Sequence, residues 1–139
     1  MTIIVTDTGF APDDWAHGFM PADQWAANDD DGARAVDLQP DADLTALDGH
    51  LDQIDLIRIA FPSFADGRGF TLARRLRRMG FTGRLRAQGH VLADQYAMAR
   101  RSGFDEVEID DALAARQPQG QWQARADWQA HDYQARLRA

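Results

Sequence analysis

Apolar positions in this chain change period several times, and the changes mark its elements. Thr2 to Val5, TIIV, is a β-branched run and reads as a first strand. From 7 to 32 no period holds, and Trp15, Phe19, Met20 and Trp25 are scattered among Asp, Gly and Pro. That stretch reads as an irregular arm with one short helix near Asp23 to Ala27 and a solvated loop over Asn28 to Gly32. Its large apolar side chains need a surface to dock on. Ala35 to Leu38 reads as a short strand ended by Pro40. Asp41 or Asp43 can cap a helix to about His50, with Leu44, Leu47 and Leu51 on one face. Ile54 to Phe61, IDLIRIAF, is the strongest strand, closed by Pro62.

The chain turns on Phe61 to Gly89, which reads as strand, Gly-rich loop resembling a phosphate cradle, helix and strand. The helix starts near Phe70 or Thr71. Leu72, Ala73, Leu76 and Met79 form its apolar stripe, and Arg74, Arg75, Arg77 and Arg78 its solvent side. Gly80 suits a left-handed C-cap with Phe81 as its apolar contact. Arg84 to Gln88 is the next strand. His90 to Ser102 is the next helix, with Val91, Leu92, Met98 and Ala99 inward. Asp105 to Ile109 is a further strand, after which Asp110 or Asp111 caps a short helix to about Arg116. Arg77-Arg78-Met79-Gly80-Phe81 recurs as Arg100-Arg101-Ser102-Gly103-Phe104, one strand–helix unit later. A helical tail over 119–139 packs Trp122, Tyr133 and Leu137, or swaps onto a neighbour. These elements predict a single α/β domain over 1–139, mainly parallel, built from repeated strand–helix units.

Strand parity adds one feature. Arg58 and Ala60 oppose Ile57, Ile59 and Phe61; Arg84, Arg86 and Gln88 oppose Leu85 and Ala87; Glu106 and Glu108 oppose Val107 and Ile109. A doubly wound sheet is apolar on both faces. This one has a charged face, which fits a partial, or half, β/α barrel with a polar interior, or a sheet meeting solvent or another subunit. An ion-pair ladder between Arg86 and the two Glu residues is the plain structural reading.

Composition sharpens this. The 139 residues carry a net charge of -7, yet all 15 basic residues are Arg. Residues 58–101 hold ten Arg against Asp66 and Asp94, whereas residues 1–57 hold thirteen Asp and one Arg. The basic middle suits an anionic partner, or is neutralised by the acidic first third. With no cysteine, disulfides, thiolate catalysis and thiolate-held metals are excluded. The four His show no ligand spacing, Asp29 to Asp31 lacks the calcium-loop alternation, and no nucleotide or hydrolase signature occurs. The expectation is no metal, no cofactor and no nucleic-acid partner. No apolar stretch is long enough to span a bilayer and no leader pattern opens the chain, so a soluble cytoplasmic protein is the simplest reading.

Ligands of parallel sheets bind outside the carboxyl ends of the strands. Those ends hold Ser63, Asp66 and Arg68 in the first loop, then Gln88 and His90. Asp94 lies one turn beyond His90 and offers acid–base work or a helix-start hydrogen bond. Gln95 falls in an apolar stripe, so its amide is either a structural bridge or part of a site. With Arg86, these are the candidates for binding an anion or a partner. No residue stands out as catalytic.

Phe61-Pro62, Asp66-Gly67-Arg68, Ala73-Arg74, Leu76-Arg77, Leu85-Arg86-Ala87, Gly89, Asp94-Gln95 and Arg101-Ser102-Gly103-Phe104 make the chain resemble a bacterial family, domain of unknown function 934 (DUF934). The resemblance is strong over Ile54 to Ile109. Ser102, where the family pattern has Cys, and His90, where it has Asp, depart from it. The resemblance implies an accessory role in assimilatory sulfate and sulfite reduction, with sulfite reductase or another sulfur-assimilation protein as partner. Family labels also speak of an oxidoreductase, and no redox signature accompanies that in this chain. Three readings follow: an accessory protein that binds an anion or a reductase, a small enzyme on an anionic sulfur or phosphate substrate, and a homo-oligomer whose charges are structural.

Overall fold

A computed structural model of the chain describes residues 2–15, 18–22 and 35–129. The helix expected near Asp23 to Ala27, the loop over Asn28 to Gly32, and Tyr133 and Leu137 lie outside the described residues. Seven strands form one sheet: β1 (Thr2–Thr6), β2 (Gly9–Pro12), β3 (Met20–Pro21), β4 (Ala35–Leu38), β5 (Leu56–Phe61), β6 (Arg84–Gly89) and β7 (Glu106–Asp110). Their order is β2-β1-β7-β6-β5-β4-β3. β3 to β7 are parallel, and β1 and β2 add antiparallel at one edge. The sheet is open and does not close into a barrel. No described helix is long and apolar enough to cross a membrane.

Among the described residues four helices accompany the sheet: α1 (Arg68–Arg78), α2 (Tyr96–Ser102), α3 (Asp111–Arg116) and α4 (Gln119–Gln123). The connection from β4 to β5 is two 3-10 turns, Leu44–Leu47 and Leu51–Gln53, where a single helix was expected. Gly49 between them has φ of 82°, which interrupts any helix, while Asp43 caps the first turn by accepting from the Thr45 N–H at 3.0 Å. The helix expected from His90 begins as a 3-10 turn at Ala93–Gln95 and becomes α-helical only at Tyr96. Within the expected irregular arm, Gly9–Pro12 and Met20–Pro21 pair as strands.

The core lies on one face of the sheet. Ile57, Ile59, Leu85, Ala87 and Val107 point into a single buried cluster with Leu44, Leu47, Leu72, Leu76, Tyr96 and Trp122 from the covering segments. Met98, expected inward, is instead 48% exposed, because α2 is only seven residues long and buries Tyr96, Ala99 and Ser102.

The internal repeat closes the two longer helices in the same way. Gly80 and Gly103 take φ of 103° and 116°. Phe81 N–H then bonds Leu76 carbonyl and Phe104 N–H bonds Ala99 carbonyl, both at 3.0 Å. The first Arg of each repeat folds back onto the Phe carbonyl: Arg77 Nη1 at 2.9 Å and Arg100 Nη1 at 2.6 Å. Arg77, expected to face solvent, is therefore part of the core's edge. The difference arises because the C-terminal carbonyls of the helix need donors that only a long side chain supplies.

Asp7, in the β1–β2 turn, ties this layer to the N-terminal hairpin. It accepts from the Tyr96 hydroxyl, from Arg100 Nε at 3.2 Å and from Trp128 Nε1 at 3.3 Å. Partial burial raises its pKa, but those three donors outweigh the burial and hold it below the ordinary value. Burial and Asp7 together push the Tyr96 phenol up, so it stays a donor. A depressed carboxyl contributes stability that is present above its unfolded pKa and is lost as pH falls through the folded value. Asp7→Asn is expected to cost about 1 kcal/mol at neutral pH, since the group is partly exposed. Urea midpoints should converge with wild type as pH falls below the ordinary aspartate range. A gap that stays constant into acid would rule out this role for the charge.

Candidate functional site

The charged face is real, and its register can be read across four strands. Asp37 lies opposite Arg58, Arg58 opposite Arg86, and Arg86 opposite Glu106. Arg58 makes a fork on Asp37, with Nε–Oδ1 at 2.6 Å and Nη2–Oδ2 at 2.8 Å. Arg86 donates Nε to Glu106 at 2.6 Å and Nη1 to Glu108 at 2.8 Å. Arg84 also holds Glu106, at 2.8 Å. Glu108 reaches over β6 to Arg58, Nη1–Oε1 3.2 Å. Burial works against the charge on Arg58, Arg84 and Arg86, but the surrounding carboxylates more than offset it and raise all three pKa values.

The N-terminal arm covers this face. β2 and β3 sit at opposite edges, so the chain between them must cross the sheet. Six strand spacings of about 4.8 Å come to about 29 Å. The eight peptide steps from Pro12 to Met20 reach at most about 29 Å, which is just enough for the crossing. Asp13 Oδ1 lies 3.2 Å from Arg86 Nη2 and Asp14 Oδ1 2.8 Å from Arg84 Nη2. The Phe19 ring lies 3.7 Å below the Arg58 guanidinium carbon, which is the docking surface its apolar arm required. Arg86 is 0% exposed. Its Nη2 meets Asp13 as an ion pair without hydrogen-bond geometry, and is the one buried side-chain donor left without a hydrogen bond among the described residues. Three guanidinium groups (Arg58, Arg84, Arg86) thus face five carboxylates (Asp13, Asp14, Asp37, Glu106, Glu108). Every arginine of this lattice is paired with carboxylates, and the lattice is net negative.

The loop after β5 is likewise self-satisfied. Asp66 takes the Arg68 backbone N–H at 3.1 Å and its guanidinium at 2.8 and 3.0 Å. Arg68 holds the Asp66 carboxyl below its usual range. Ser63 closes the turn through its carbonyl, which accepts from Asp66 N–H at 3.1 Å. Gly69 is required by packing: a Cβ there would come within 2.5 Å of the Phe61 ring. Gly69 therefore serves helix–strand packing. Gln95 bridges, as one of its two readings expected: Oε1 accepts from Leu92 N–H at 2.9 Å and Nε2 donates to Phe64 carbonyl at 3.1 Å. Asp94 pairs with Arg125 at 2.9 Å.

What remains open is a cleft of about 180 Å³ at the carboxyl ends of β6 and β7. It is lined by Thr2, Phe64, Gln88, His90, Glu108, Asp110, Leu113 and Arg116 among others. Of the sequence candidates it gathers Gln88 and His90 and leaves out Ser63, Asp66, Arg68, Arg86, Asp94 and Gln95. His90 Nδ1 lies 3.2 Å from the Phe61 carbonyl and its ring meets Phe64 edge-on at 5.0 Å. Thr2 arrives because β1 pairs antiparallel with β7, setting Thr2 opposite Asp110. No local motif signals that contact or the place of Arg116. A second hollow of about 410 Å³, lined by Asp37, Asp41 and Asp43, borders Ala22, where the described chain stops. Among the described residues no cluster of metal-ligating side chains occurs.

The family model described as bacterial protein of unknown function (DUF934) matches residues 35–139. No curated protein and no solved structure matches the chain.

Proposed function

The chain belongs to the DUF934 family, and on that premise we propose that it is an accessory protein of assimilatory sulfate and sulfite reduction that docks on an acidic surface of sulfite reductase or another protein of that process. The observation that supports docking over chemistry is where unpaired positive charge lies. The arginines of the sheet are consumed by carboxylates, whereas Arg74, Arg75 and Arg78 stand exposed on α1 with no ion pair among the described residues. Met79 at the end of that helix is 36% exposed, and with Met98 is one of two large exposed hydrophobics among the described residues. Arginine and methionine are favoured at contact surfaces.

Two measurements test this. A deletion strain should grow poorly on sulfate and recover on cysteine; normal growth on sulfate sinks the pathway assignment. Purified chain should co-elute with sulfite reductase, and Arg74→Glu/Arg75→Glu/Arg78→Glu should weaken that association at least about tenfold while leaving the thermal midpoint unchanged. Co-elution that ignores the triple reversal would place the contact elsewhere. A second reading, a small enzyme on an anionic substrate, is favoured by the open cleft beside Gln88 and His90. Sulfite or sulfate density there in soaked crystals would support it, and an empty cleft with all of these anions would count against it.

A further inference from the structure

We propose that the cleft at the ends of β6 and β7 binds a small zwitterion, an amino-acid-like molecule carrying an ammonium and a carboxylate. This does not rest on the docking face of α1, which is a separate surface.

The argument begins with how each charged group in the cleft is already engaged. Glu108 is buried, and its carboxylate is held by Arg58 and Arg86. Its charge is matched from behind, so it offers the cleft an acceptor without adding net charge. Asp110 spends Oδ1 on the Leu113 N–H at 2.8 Å, as the N-cap of α3, and forms no ion pair among the described residues. Arg116, at the last turn of α3, also has no ion pair among them. The cleft therefore presents one uncompensated carboxylate and one uncompensated guanidinium, six residues apart along a short helix. At about 1.5 Å per residue that is about 9 Å between their backbones.

A lone anion entering this space meets Asp110, and a lone cation meets Arg116. A ligand with both charges satisfies each end and leaves the net charge of the site unchanged. The Gln88 side chain, unbonded among the described residues, supplies both donors and an acceptor between the two ends. Thr2 adds a hydroxyl opposite Asp110. The volume of about 180 Å³ admits a molecule of glycine or alanine size. The position, outside the carboxyl ends of parallel strands, is where such sheets bind ligands.

The test is an NMR titration of the full chain that follows the Gln88 side-chain amide and the backbone amides of Gln88 to His90. The probes are glycine, L-alanine, acetate, methylammonium and sulfate. Glycine or L-alanine should shift these signals with a Kd at least about tenfold below those of acetate and methylammonium. Asp110→Asn keeps a capping oxygen for Leu113 and should remove the preference for glycine over acetate. Arg116→Gln, an exposed change, should remove the preference over methylammonium. Acetate or sulfate binding as tightly as glycine would make the cleft a simple anion site and overturn the proposal. So would the absence of any shift at saturating glycine, or a zwitterion preference that survives both substitutions.

Discussion

Replacing Arg86 with alanine is expected to cost about 3–5 kcal/mol, the penalty for stranding buried carboxylates by removing their shared partner. Glu106 and Glu108 are 5% and 3% exposed. Each takes a short bond from Arg86 and is left with one arginine without it, Arg84 for Glu106 and Arg58 for Glu108. Asp13 of the arm loses its partner at the same time. Arg86→Lys should recover little, because one ammonium cannot reproduce a fork aimed at Glu106, Glu108 and Asp13. The double variant Arg86→Met/Glu106→Gln should be clearly less destabilised than the sum of its single changes, since it removes charge of both signs. Equilibrium urea unfolding measures all of these. A loss below about 1 kcal/mol for Arg86→Ala would show that the lattice reorganises around the gap.

Arg77→Ala is expected to be the next most costly change, about 3 kcal/mol. One guanidinium there bonds the carbonyls of Phe81 at 2.9 Å, Gly83 at 2.8 Å and Gly103 at 2.7 Å, and Asp105 at 3.0 Å. These carbonyls belong to the loops that end α1 and α2, so their loss as acceptors loosens both ends together. Bonds to a charged donor are worth about 1.5–3 kcal/mol each and do not add when shared by one group. Gly103 is part of the same device, since a Cβ there would lie 2.7 Å from the Arg77 side chain. Hydrogen exchange should show faster opening at Phe81 and Phe104 before any change at Ile59. Equal acceleration everywhere would mean that Arg77 supports global stability and not these two turns.

Much of this was legible from residue order. β5, β6 and β7 announce themselves by alternation, and parity correctly put Arg58, Arg86, Glu106 and Glu108 on one face. Asp110 as a cap followed from Asp before a short apolar run, and its Oδ1 does cap α3. Other features required three dimensions. That Arg77 is a clasp and Arg74 is not depends on where Gly83 and Gly103 bring their carbonyls. That Asp13 and Asp14 neutralise Arg84 and Arg86 depends on β2 and β3 lying at opposite edges, which no local pattern encodes. The candidate site shows the same limit. Gln88 and His90 were visible as strand-end residues, whereas Thr2 joins them only through the antiparallel pairing of β1 with β7, and Arg116 through the short helix packed against those same two strands.

The strand order also sets a timetable. β1 has two neighbours, β2 and β7, and β7 is the last of the described strands in sequence. During synthesis the first strand made therefore waits for the last before it can pair on its inner edge. Until then the arm has no assembled face to cross, since Arg84, Arg86 and Glu106 belong to late strands. The parallel unit from β4 to β6 can form earlier through neighbours in sequence, and long-range pairing comes at greater entropic cost. In pulse-labelling refolding experiments, amides of Ile57 and Leu85 should gain protection before those of Ile4 and Val5. The nascent chain thus carries a β-branched TIIV segment with its inner edge open until β7 is made, and that edge is where premature contact with other chains would begin.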